Sequence, residues 1–85
     1  MKVDIDKFFA SVLKRKREAL GITQDALAMR SELDRTYISM LERGLRKPSL
    51  QTVFSLAKSL EIEVTELIRE VENDWKTRPA INDSK

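Results

Sequence analysis

The sequence predicts an all-α protein built from five short helices. Three observations point to that class. Apolar residues recur at spacings of three and four in several separate stretches, the period of a helix with one buried face. The stretches are bounded by residues that start or stop helices, with Thr23 and Ser49 among the starts and Gly21 and Gly44 among the stops. No segment carries a convincing polar–apolar alternation of the kind a half-buried strand requires.

The first helix is expected from about Asp6 to Leu20. Phe9, Leu13, Lys16 and Leu20 share one face, with the lysine lying along its own stem, and Gly21 closes the element. Thr23 caps a short second helix whose apolar positions are Leu27 and Ala28. Polar Ser31 and Glu32 then interrupt the pattern, Leu33 plugs inward, and Asp34 is placed to cap the third helix. Ile38 and Leu41 give that helix a buried edge, and Gly44 supplies the left-handed residue that ends it. Pro48 favours an extended approach to Ser49, the cap of a fourth helix whose inward stripe is Leu50, Val53, Leu56, Ala57 and Leu60. The fifth helix begins near Glu63 or Val64, with Val64, Leu67, Ile68, Val71 and Trp75 in register. The remaining KTRPAINDSK has no periodicity, so residues 76–85 are expected to be a flexible polar tail after a single domain over residues 1–75.

Composition removes several classes of chemistry. The chain has no cysteine and no histidine, so no disulfide framework and no zinc- or thiol-type site is expected. The hydroxyls of Ser11, Ser39 and Ser55 lack a base, and no Gly-rich phosphate loop is present, so neither an enzyme nor a cofactor is expected. No apolar run reaches the length of a membrane span, and the N-terminus lacks a signal-peptide core, which suits a cytoplasmic protein without membrane contact. The net charge of +2 hides a polarity along the chain. Residues 1–60 carry twelve basic against seven acidic side chains, a net +5, whereas residues 61–75 carry one against six, a net −5. A basic body followed by an acidic segment fits a protein with one face toward a polyanion.

Thr23 to Gly44 carries the most information. Two short helices joined by a turn of a few residues form the helix-turn-helix pattern, in which the second helix enters the major groove of double-stranded DNA.

Residues 9–68, about seven-tenths of the chain, resemble the small helix-turn-helix domains of phage repressors and Cro proteins, a large family of bacterial regulators. The resemblance rests on Arg17, Gly21, Thr23-Gln24, Leu27-Ala28, Ile38, Glu42-Arg43-Gly44 and Pro48-Ser49-Leu50, in that order. It implies a five-helix, lambda-repressor-like domain. Leu33 to Ser39, reading LDRTYIS, and the small size look most like the controller proteins of restriction–modification systems. Two positions depart from the family pattern, because Glu32 and Glu61 stand where glycine is usual. A left-handed glutamate at Glu32 costs roughly 1 kcal/mol.

The resemblance also implies roles for individual residues. Gln24, at the start of the second helix, is expected to donate to a phosphate, and Arg35, Thr36 and Ser39 are expected to face base edges. Arginine forks onto guanine O6 and N7, while Thr36 offers a hydroxyl or packs its methyl against thymine. Met40 either touches a thymine methyl or shields the interface. Tyr37 either bonds a phosphate or packs its ring on the second helix. Arg43, Arg46 and Lys47 form a basic loop suited to the sugar-phosphate backbone, where Arg43 also complements the helix dipole. Arg17 and Glu42 are expected to pair structurally, and Lys14 and Arg15 to be solvated charges.

A domain this small reads one half-site weakly, so a homodimer on a pseudo-palindrome is expected. Phe54, Ile62, Val64, Leu67, Ile68 and Val71 exceed what the core needs; the alternative is that all are core, as Leu67 is expected to be, and the other five are assigned to the dimer interface. The controller resemblance implies autoregulation, with RNA polymerase or a small partner protein as further contacts. The competing reading is an antitoxin-type protein whose extension around Trp75 binds a partner.

Overall fold

The computed structural model describes residues 4–77 of the 85-residue chain. Its helices are α1 (Ile5–Leu20), α2 (Gln24–Ser31), α3 (Arg35–Glu42), α4 (Leu50–Ser59) and α5 (Val64–Lys76). Helix α5 thus continues past Trp75 to Lys76, and residues 78–85 of the expected tail lie outside the described residues.

Helix α1 packs on α3 and α5, α2 on α3 and α4, and α4 on α5. Val12, Leu13, Leu27, Ile38, Leu41, Leu56 and Leu67 are fully buried where these faces meet. Burying a side chain of this size stabilises the fold by roughly 1.5–3 kcal/mol. Helix α1 points Phe9, Ala10, Val12 and Leu13 inward, so the face expected from Phe9, Leu13, Lys16 and Leu20 is rotated. Lys16 and Leu20 lie at its half-buried edge. Leu50, expected to point inward, is 72% exposed.

The helix starts are local chemistry. The Thr23 hydroxyl accepts from the Ala26 amide at 3.0 Å, and that of Ser49 accepts from Thr52 at 3.0 Å. Asp34 occupies the cap position of α3 with extended backbone, but its side chain makes no capping hydrogen bond. Ser31, expected to break the apolar pattern, is buried as the last residue of α2, with its hydroxyl donating to the Leu27 carbonyl at 2.7 Å.

The ends of α1 to α4 share one device. Gly21, Glu32, Gly44 and Glu61 all have positive φ, at 81, 59, 72 and 63°. In each case the next residue is apolar and its amide reaches back five residues: Ile22 to Arg17, Leu33 to Ala28, Leu45 to Met40 and Ile62 to Ala57, at 3.3, 2.9, 2.9 and 3.1 Å. This is the Schellman ending, in which the left-handed residue turns the chain and the following side chain seals the last turn. Ile22, Leu33 and Ile62 pack against the core, while Leu45 stays exposed.

The acidic α5 is clamped to the basic end of α1. Arg15 pairs with Glu70 at 3.1 Å and Asp74 at 3.3 Å, and Lys16 pairs with Glu66 at 3.0 Å and also with Glu70. Arg15 is exposed, as expected of a solvated charge, but it is also paired across to α5. The hydrogen bond from Lys16, helped by a weaker one from Arg15, holds the Glu70 carboxyl below the usual carboxylate range against the opposing effect of burial.

Candidate nucleic-acid interface

Helix α3 is seated through its last residue. The Glu42 side chain is only 2% exposed and accepts from Arg17 Nε at 2.6 Å and Arg17 Nη2 at 3.0 Å. Arg17 also donates to the Ile22 carbonyl at 2.8 Å, and Gln24 Nε2 donates to Glu42 Oε1 at 3.0 Å. One carboxylate thereby ties α1, the start of α2 and the end of α3. The Glu42 hydrogen bond is the leading cause that raises the Arg17 pKa, so the guanidinium stays charged. The Arg17–Glu42 pair is as the family resemblance implies. Gln24, expected to contact phosphate, has its side-chain amide on Glu42, which leaves the N-terminal backbone of α2 as the donor available there.

The other end of α3 points outward. Arg35 and Thr36 are exposed, and Ser39 and Met40 are half-buried along the same side. Arg35 Nε lies 3.1 Å from Asp25 Oδ1 of α2. A shallow depression beside the helix is flanked by Thr36, Tyr37, Met40 and Arg46. The Tyr37 ring is half-buried, packs against the core, and carries the Arg46 guanidinium 5.3 Å from its centroid. Arg46 Nη1 also lies 3.7 Å from Met40 Sδ. Lys47 Nζ is 2.9 Å from Asp6 Oδ2 of α1, and that hydrogen bond raises the Lys47 pKa. Arg43 is exposed and joins no ion pair among the described residues. The expected base-facing residues and the basic loop therefore share one surface of the molecule. The acids that meet them, Asp6 and Asp25, gave no signal in the sequence. They reach their partners only through the packing of α1 and α2 beside α3.

The apolar residues assigned to a dimer interface divide. Phe54 and Ile68 are 53% and 44% exposed and flank a depression shared with Leu50, Val64 and Arg69. Ile62 and Val64 are half-buried and pack against the core, so they serve it at least in part. Val71 is 7% exposed and belongs to the core, a correction with a simple cause. It follows Leu67 by one turn on the inner side of α5, whereas Ile68 lies on the outer edge. Among the described residues, no cluster of three or more acids, histidines or cysteines is placed to hold a metal. No described helix is long and apolar enough to cross a membrane.

Comparison with known proteins agrees with this geometry. A family model described as helix-turn-helix matches residues 13–67. The control protein C.MunI of a Mycoplasma species is 33% identical over 72 residues, covering 84% of this chain and 97% of that protein. The crystal structure of the restriction–modification controller protein C.AhdI from Aeromonas hydrophila superposes with a TM-score of 0.71 at 42% identity, over 73% of this chain and 94% of that one. The controller protein C.Esp1396I bound to a 19-base-pair DNA duplex superposes with a TM-score of 0.78 at 31% identity, over 82% and 93% of the two chains. With its helix pair seated on Arg17 and Glu42 and the first turn of α3 turned outward, the chain belongs to the helix-turn-helix transcriptional regulators, a family of DNA-binding proteins rather than enzymes, and within it resembles the restriction–modification controllers.

Proposed function

We propose that the protein is a sequence-specific transcription regulator that binds pseudo-palindromic operators as a homodimer, acts in the cytoplasm and controls its own gene. One observation carries the reading. The first turn of α3 presents Arg35 and Thr36 to solvent beside the basic loop, while the far end of α3 is locked by Glu42. A rigidly held, exposed helix start is what major-groove reading requires.

Arg35, Thr36, Ser39 and Met40 are assigned to bases. The start of α2 at Gln24, together with Tyr37, Arg43, Arg46 and Lys47, is assigned to phosphates. The exposed Phe54 and Ile68, with Leu50 beside them, form an apolar edge away from this surface and support a two-fold contact. Residues 1–75 then act as one DNA-binding and dimerisation unit. Its own concentration then acts as an input, because dimerisation makes operator occupancy steep. Autoregulation is supported by the likeness to controller proteins.

Selection of bound sequences from a random DNA pool tests the proposal. The expected result is a two-fold-symmetric consensus with half-sites about one helical turn apart. Failure to enrich any sequence, together with co-purification of a second small protein, would favour a partner-binding role instead.

A further inference from the structure

Asp25 stands in the first turn of α2, next to Gln24, and its side chain is 74% exposed. A carboxylate there opposes the approach of a polyanion to the proposed DNA face. Two ordinary reasons for it exist: an acid in the first turn complements the helix dipole, and an exposed ion pair adds a little stability. The first of these does not require Arg35. Yet Oδ1 of Asp25 lies 3.1 Å from Nε of that residue, the first of α3. The contact uses Nε and leaves the two terminal amino groups side by side. Those are the groups that fork onto O6 and N7 of a guanine. The same carboxylate competes with any phosphate for Arg35 and repels phosphates drawn toward the start of α2.

We infer that Asp25 is a positioning residue for base recognition. It holds the Arg35 fork ready for guanine and penalises contacts with phosphate, so it lowers affinity for arbitrary DNA and raises discrimination. The inference rests on the proposed reading of Arg35 as a base contact.

The test compares full-length wild type, Asp25→Ala, Asp25→Asn, Arg35→Ala and the Asp25→Ala/Arg35→Ala double variant by fluorescence anisotropy at one salt concentration. Three duplexes are used: the selected operator, that operator with the most strongly selected guanine pair of each half-site changed, and a scrambled sequence. Removing one charge near a phosphate is worth about threefold per subunit in water, so both Asp25 variants should bind scrambled DNA about tenfold more tightly as dimers. They should keep operator affinity within about threefold and lose most preference at the changed base pairs. The double variant should discriminate no worse than Arg35→Ala alone. Uniform weakening on all three duplexes would show a purely structural role and overturn the inference. Discrimination retained by the Asp25 variants while Arg35→Ala loses it would overturn the inference and leave the base-reading assignment standing. Full discrimination by Arg35→Ala would overturn both.

Discussion

Glu32 and Glu61 adopt left-handed backbone conformations that glycine enters without strain, and each ends a helix in the same way as Gly21 and Gly44. Glu32 is exposed, and among the described residues its side chain joins no hydrogen bond or ion pair that would offset its cost. Glu32→Gly should therefore stabilise the domain by about 1 kcal/mol, read as a rise of about 4–8 °C in Tm. Glu61 gains a bond from Arg30 at 3.2 Å, and its replacement should give less. At Glu42 the sign reverses. Its carboxylate is almost fully enclosed and accepts from two residues, so Glu42→Ala leaves the Arg17 guanidinium buried without its partner. Chemical denaturation should show a loss of about 3 kcal/mol or more. Residue chemistry of this local kind was the most legible in the sequence. Thr23, Ser49, Gly21 and Gly44 act within a few residues of themselves, and each does what its type suggests. The Arg17–Glu42 pair spans 25 positions and was legible only through the family resemblance.

Between elements, charge does what the linear sequence hides. The Arg15 and Lys16 contacts with Glu66, Glu70 and Asp74 join residues fifty or more positions apart, and an acidic run gives no sign of which base it will meet. Glu70 is held below its ordinary value of 4.5, so its contribution is fully present above that pH. It is lost as pH falls through the lower folded value. Acid titration of thermal stability should be shallower in Glu70→Gln than in the parent, with the difference confined to the region below about pH 4.5. The loop after α3 is tied to α1 in the same way, through Lys47 and Asp6. If this loop neutralises phosphates, Arg46→Ala and Lys47→Ala should each weaken operator and random DNA by similar factors. Each should also lower the salt-dependence slope by about one unit per bound site. Loss on the operator alone would assign the loop to base or groove-shape reading.

At the scale of the whole molecule, the proposed DNA face is formed by α3 with its flanking loop, and the exposed apolar edge by α4 and α5. Periodicity identified the apolar stripe of α5 but not which side of it meets the core, because Leu67, Ile68 and Val71 all fit a broad helical face. The burial of Val71 and the exposure of Ile68 move the dimer test outward. Ile68→Asp should give a folded monomer with unchanged helical circular dichroism and weakened binding to a full operator, since a carboxylate is solvated on a monomer but costly against its symmetry mate. Sedimentation of parent and variant side by side checks this, and unfolding would return Ile68 to the core. The central claim, that α3 reads bases in two symmetric half-sites, meets its most direct test in Arg35→Ala. Affinity is measured base pair by base pair across the selected operator for wild type and variant. The account predicts a loss of about 1–3 kcal/mol and a collapse of preference at one position in each half-site, the two related by the operator dyad. Preference unchanged at every position, or lost at a single unpaired position, would contradict it.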